Sequence, residues 1–169
     1  ELVHEFVITV ENGVEIGGLI SEDLTLYPDV HYIVTQSIAI PKGVTLTIKP
    51  GTVIKFKEYV GIHNEGNIVA NGTPDSLIVL TKADFAQNLR LSSITLGHMA
   101  SYIYVRDLDF RGGGISGLTH SILKNIYAQF DLTGFVHFCN IVNNRCGMQI
   151  CNGSSTYVNV IGNYHSPDT

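Results

Sequence analysis

Tryptophan is absent from this 169-residue chain, and methionine occurs only twice. Charge is scarce too: Asp, Glu, Lys and Arg make up 15% of the residues, against roughly a quarter in an ordinary domain. Alanine, the strongest helix former, appears 6 times against 19 Ile and 16 Val. Such a composition argues against a helix bundle, because β-branched side chains lose rotamer freedom in helices and pack well on pleated surfaces. It argues against disorder as well, which needs low hydrophobicity and high charge; here 44% of the residues are hydrophobic. No apolar run approaches the ~20 residues of a membrane-spanning helix, so membrane insertion is not expected. A basic segment followed by an apolar one is also missing, so no signal peptide is expected in the chain. Ten cations against fifteen acids, a net charge of −5, leave no electrostatic footprint for nucleic acid. Cations are missing altogether from residues 1–41, which hold Glu1, Glu5, Glu11, Glu15, Glu22, Asp23 and Asp29; the first is Lys42. That stretch reads as a solvated face, or else as a docking surface for a cation or basic partner.

What is present is a succession of short strands and turns. Phe6–Val10 ends at the turn dipeptide Asn12-Gly13, and Leu24–Tyr27 ends at Pro28-Asp29. His31–Thr35 and Ser37–Ile40 are separated by one polar residue, and Pro41-Lys42-Gly43 makes a turn. Val44–Ile48 alternates, with Leu46 and Ile48 on one face and Thr45 and Thr47 on the other. Lys49-Pro50-Gly51 turns again before Thr52–Phe56. No segment here has a helical period.

The pattern echoes itself. Leu46 aligns with Ile68 and Ile48 with Ala70 at an offset of 22, and Gly51-Thr52 with Gly72-Thr73 at 21, as if one turn residue were dropped. Asn140 falls 23 residues before Asn163, and Val105–Phe110 and Ser121–Asn125 look like the same strand on successive repeats. A drifting period of about 15–23 residues with short strands predicts stacked coils, each too small to bury its apolar face alone. Translation of one pattern favours parallel stacking over the hairpins of a sandwich.

YIVTQSIAIPKGVTLTIKPGTVIKF (Tyr32–Phe56) and NIVANGTPDSLIVLT (Asn67–Thr81) resemble the opening coils of bacterial secreted right-handed parallel β-helix proteins, the pectin-lyase-like superfamily. Ser76-Leu77-Ile78 stands where that group usually has Pro-Ile, and CNIVNNRCGMQICNGSSTYVNVIGNY resembles its Asn-rich coils. The resemblance implies an all-β right-handed parallel β-helix, a solenoid, with residues 1–30 as an N-terminal cap-like segment and 31–169 as coils. It also implies secretion or a cell-surface location. Because members are usually long, and because the chain ends within its pattern at Ser166-Pro167-Asp168-Thr169, it is expected to be a piece of a longer protein.

Candidate chemistry is sparse. Lyases and hydrolases of the superfamily need outward carboxylates for Ca²⁺ or acid–base work. Asp107 and Asp109 are the candidates: in a strand Val105–Phe110, Leu108 and Phe110 would take one face and the two carboxylates the other, flanked by Arg106 and Arg111. The bland reading is two solvated residues balanced by two arginines. The polygalacturonase signatures of the superfamily are missing. His120 and His137 could stack on adjacent coils. Cys139, Cys146 and Cys151 match no common zinc spacing; buried thiols, one disulfide and a metal site are the alternatives. Cys146-Gly147-Met148-Gln149 is similar to an internal thioester, though a strand and turn explain it. Thr45 and Thr47 are similar to an ice-binding pair, but Val69 and Asn71 end the ladder. Gly112-Gly113-Gly114 lacks a following P-loop lysine and reads as a turn between coils. No nucleophile elbow exists.

The reading that follows is non-enzymatic: a module for adhesion, for binding a polysaccharide or a host or cell-surface protein, or for spacing, with no cofactor beyond Ca²⁺ as an option at Asp107 and Asp109. The alternatives are a polysaccharide lyase or glycoside hydrolase-like domain acting on an acidic polysaccharide, and a self-assembling module whose open coil ends, near Asn163, form a homo-oligomer.

Overall fold

A computed structural model of the chain describes residues 13–83, 94–108, 113–124, 130–133, 136–137, 140–142, 148–151, 155–156 and 159–161. Side-chain surroundings are described for 13–83, 94–96, 100–108 and 120–122. Eighteen short strands fall within these residues. The first coil holds β1 (Val14–Leu19) and β2 (Leu24–Leu26), the second β3 (His31–Ile40) and β4 (Thr45–Ile48). The third holds β5 (Val53–Phe56), β6 (Ile62–Asn64) and β7 (Asn67–Ala70), and the fourth β8 (Ile78–Lys82) and β9 (Ile94–Ser101). Then come β10 (Ile103–Arg106) and β11 (Gly113–Thr119), β12 (Ile122–Lys124), β13 (Phe130–Thr133) and β14 (Val136–His137). The last are β15 (Asn140–Val142), β16 (Met148–Cys151), β17 (Ser155–Thr156) and β18 (Asn159–Ile161).

Every ladder between these strands is parallel, and each strand pairs with its counterpart one coil away. The result is an all-β parallel β-solenoid with three faces. The first face runs from the start of β3 through β5, β8, β10, β12, β15 and β18. The second runs from the end of β3 through β6, β9, β11, β13 and β16. The third starts with β2, β4 and β7, and continues through the Asn71–Ser101 bridge to the ends of β9 and β11 and to β14 and β17. His31–Thr35 and Ser37–Ile40 join in one strand, β3, that turns the corner between the first two faces: its start pairs with β5 and its end with β6.

Alternation in the sequence becomes columns in the core. Tyr32, Ile54, Leu80 and Val105 stack on the first face, the last three with no exposure. Ile38, Ile62 and Ile94 do so on the second, and Leu46 and Ile68 on the third. Each such side chain contributes about 1.5–3 kcal/mol when removed from water, and each coil uses its neighbours as the other wall. Thr52, fully buried at a corner, donates its hydroxyl proton to the Lys49 carbonyl at 2.7 Å.

The register agrees with the first echo: Leu46 lies over Ile68 and Ile48 over Ala70. It corrects three other expectations. Gly51 is not matched with Gly72. Gly51 N–H donates to Ser76 O at 3.1 Å, because the corner after β7 gains residues, turning back on itself between Thr73 and Ser76. Asn140 pairs with Asn159, not Asn163, because the later coils are shorter. Coils also begin before residue 31: β1 pairs in parallel with β3, and β2 with β4, so the described part of the cap-like segment is itself a coil. Val105–Phe110 and Ser121–Asn125 do correspond, through β10 and β12 with Tyr104 over Ile122.

Candidate ligand-binding corner

Most expected site residues are not brought together. Asp107 follows β10 with φ of +58°, so the strand expected over Val105–Phe110 ends at Arg106. A left-handed residue turns the chain, and Asp tolerates that conformation better than most. Leu108 is then fully buried beyond the turn. The Asp107 carboxylate lies 3.3 Å from the Arg106 guanidinium, with Arg106 exposed and Asp107 half-buried. Simple strand alternation therefore does not relate Asp107 to Asp109, and Asp109 lies outside the described residues.

His120 is not the register partner of His137. Thr119 is the register partner of His137, one residue away from the expected match. The ring over His120 belongs to Tyr102, with centroids 5.2 Å apart and planes 21° from parallel. The two residues hold the same place on successive coils, at the corner between the third and first faces. Both have left-handed backbone, φ +54° at Tyr102 and +48° at His120, which points them away from the ladder. His120 is exposed and Tyr102 half-buried, a spacing suited to offset ring stacking. Ser121, buried next to His120, accepts the Ile103 N–H at 3.1 Å and pins the two coils together beneath the stack. Tyr104 follows on the outward side of β10, between the fully buried Ile103 and Val105.

This corner was missed from the sequence. Its signal was the 18-residue step from Tyr102 to His120, which the sequence continues with Phe138 and Tyr157, both outside the described residues.

The other candidates do not assemble. Cys139 and Cys146 lie outside the described residues, and Cys151 ends β16 in register with Thr133. Gln149, of the thioester-like stretch, lies in the same strand in register with Asp131. Gly113 and Gly114 were expected in a turn but open β11, paired with Phe130 and Asp131; with no side chain they fit the pleat as readily as a bend. Outward Thr25 and Thr47 are in register and Val69 follows, so the threonine ladder is short. Among the described residues no three His, Cys, Asp or Glu side chains group as metal ligands, and no helix is long and apolar enough to cross a membrane. At the other end of the stack a cavity of about 370 Å³ opens beside β1 and β2.

Comparison with known proteins agrees with the architecture. The family described as a pectate-lyase like beta helix domain matches residues 18–90. Protein bark beetle of Drosophila melanogaster is 32% identical over 75 residues, which cover 44% of this chain and 2% of that protein's length. No solved structure gives a significant match. The fold is thus a pectin-lyase-like parallel β-solenoid.

Proposed function

We propose that this chain is a non-enzymatic β-solenoid binding module of a secreted or cell-surface protein, and that it takes a carbohydrate at the Tyr102–His120 corner. The observation that carries the reading is the ring stack itself. Two flat rings, set one above the other on adjacent coils and partly open to solvent, offer apolar faces with polar edges. Such surfaces suit the C–H faces of sugar rings while hydroxyls find partners at the rim. Arg106 and Asp107, with their charged groups at the far end of β10, supply donors and acceptors within the same coil. The coarser statement, a β-helix structural or binding module, stands on the fold alone.

A glycan array with the unmodified chain, then titration of the best-bound glycan against Tyr102→Ala and His120→Ala, tests the proposal. Loss of tenfold or more in affinity, about 1.4 kcal/mol, is expected for Tyr102→Ala with the unfolding midpoint little changed. Full retention of binding in both variants would show that the corner is not the site.

A further inference from the structure

An acceptor for a covalent sugar lies at the end of β7. Asn71-Gly72-Thr73 matches the Asn-x-Ser/Thr acceptor for N-linked glycosylation, in which the middle residue is any but proline. A triplet alone is common; its place in the fold gives this one meaning. Ala70 points into the core, 1% exposed, so alternation turns Asn71 outward, and Asn71 is exposed. It bridges in parallel to Ser101, one residue before Tyr102, at the corner between the third and first faces.

The Asn71 amide is held by its oxygen. Ser101 Oγ–H donates to Asn71 Oδ1 at 3.3 Å, a bond that survives glycosylation because the sugar goes on nitrogen. That contact turns the oxygen toward the next coil and leaves Nδ2 on the other branch of the amide. The middle position has its own structural demand. Gly72 N–H donates to Ser101 O at 2.9 Å, and a Cβ there would meet the Tyr102 carbonyl oxygen at 2.5 Å. Proline, with a ring and no N–H, satisfies neither condition. Thr73 opens a tight turn: its N–H donates to Ser76 O and Ser76 N–H returns to Thr73 O, both at 3.1 Å. Thr73, Pro74, Asp75 and Ser76 are all exposed, so the chain following the acceptor is at the surface.

We propose that Asn71 carries an N-linked glycan. The inference rests on the secreted or cell-surface location proposed above. A transferase of the secretory route takes the oligosaccharide from a lipid pyrophosphate donor. The bond from the anomeric carbon to the pyrophosphate oxygen breaks, and a bond from that carbon to Asn71 Nδ2 forms. The nitrogen gives up one proton, and the lipid pyrophosphate leaves with the electron pair. The sugar then borders the Tyr102–His120 stack from the side of the preceding coil.

Secretion from cultured animal cells, with a cleavable signal peptide added to the chain, tests the site. Peptides of the secreted protein are treated with peptide N-glycosidase in heavy-oxygen water and read by mass spectrometry; the enzyme converts a glycosylated asparagine to a labelled aspartate. Label at Asn71 is expected. The reading is made on the peptide because Asn152-Gly153-Ser154 also matches the motif, outside the described residues. Thr73→Ala, which keeps the acceptor and the backbone bonds of the turn, is expected to abolish the label, and Thr73→Ser to retain it. An unlabelled Asn71 in the unsubstituted chain overturns the proposal. So does label that persists in Thr73→Ala, which would mark spontaneous deamidation of the Asn-Gly bond. Since the signal peptide supplies the route, an unlabelled product counts against the site and not against the location.

Discussion

Two glycines near one corner separate backbone strain from packing. Gly66 lies between the second and third faces, where the chain passes over the corner of the preceding coil. Its N–H and that of Glu65 both donate to the Ile40 carbonyl, at 3.0 and 2.9 Å, and Asn67 N–H donates to Val44 O at 2.9 Å. A Cβ on Gly66 would stand 2.3 Å from Pro41 O and 2.4 Å from Val44 O. Both are main-chain atoms and cannot swing aside, so the coils must part by about an ångström to restore ordinary contact. That movement lengthens the Asn67–Val44 bond and strains those to Ile40. At about 1–3 kcal/mol for each buried backbone group left unpaired, Gly66→Ala is expected to cost roughly 3 kcal/mol or more. Gly43, on the preceding coil at the same corner, has φ of +87° and nothing within 4 Å of where its Cβ would stand. Gly43→Ala meets only the left-handed backbone cost of about 1–2 kcal/mol, partly offset by the stiffer unfolded chain, about 0.4–1 kcal/mol. Urea unfolding of the two variants gives the comparison through the midpoint at unchanged slope. Equal destabilisation would refute the reasoning that the close passage of coils, and not glycine's conformational freedom, fixes this corner.

Two further pairs of substitutions read the coil register. Leu46→Ala removes a fully buried link in a third-face column and is expected to cost about 2–5 kcal/mol, while Thr47→Ala, outward next to it, stays within about 0.5 kcal/mol; the unfolding midpoints check both. Ser121→Ala deletes the hydroxyl that accepts the buried Ile103 N–H, expected to cost about 1–3 kcal/mol and to speed exchange of that amide, while Ser121→Thr retains the acceptor.

The solenoid was legible where consecutive coils share a length. Leu46 and Ile68, and Ile48 and Ala70, lie in register at the offset read from the sequence because the path from β4 to β7 carries no insertion. The same approach failed at Gly51 and Gly72. Identical turn residues looked like the same corner, but the turn at Thr73–Ser76 loops outward and moves Gly51 over Ser76. Periodicity counts residues along the chain, whereas register is set by inter-coil hydrogen bonds, and an outward loop changes one without the other. Asp107 failed for a related reason. Alternation in Val105–Phe110 was sound as a pattern, yet a single left-handed residue ends the strand, and Asp is among the side chains that allow it.

The Tyr102–His120 stack shows how coil length also governs what the surface can carry. Rings meet across coils only if equivalent corner residues stand one above the other, so the intervening coil must add nothing at that corner. On the third face the step is 30 residues from Asn71 to Ser101, but 18 from Ser101 to Thr119, 18 from Thr119 to His137 and 19 from His137 to Thr156. Before Ser101 the corner holds Gly72, where a Cβ would stand 2.5 Å from the Tyr102 carbonyl oxygen; the backbone passes too closely for a ring. From Tyr102 onward the spacing settles, and the rings of Tyr102 and His120 meet at that position. Inward Ile and Val meet the same demand on every coil, so they fill the composition and mark the fold. A surface ladder needs equal coil lengths as well as the right side chains, which confines it to the regular half of the stack and makes it nearly invisible to composition.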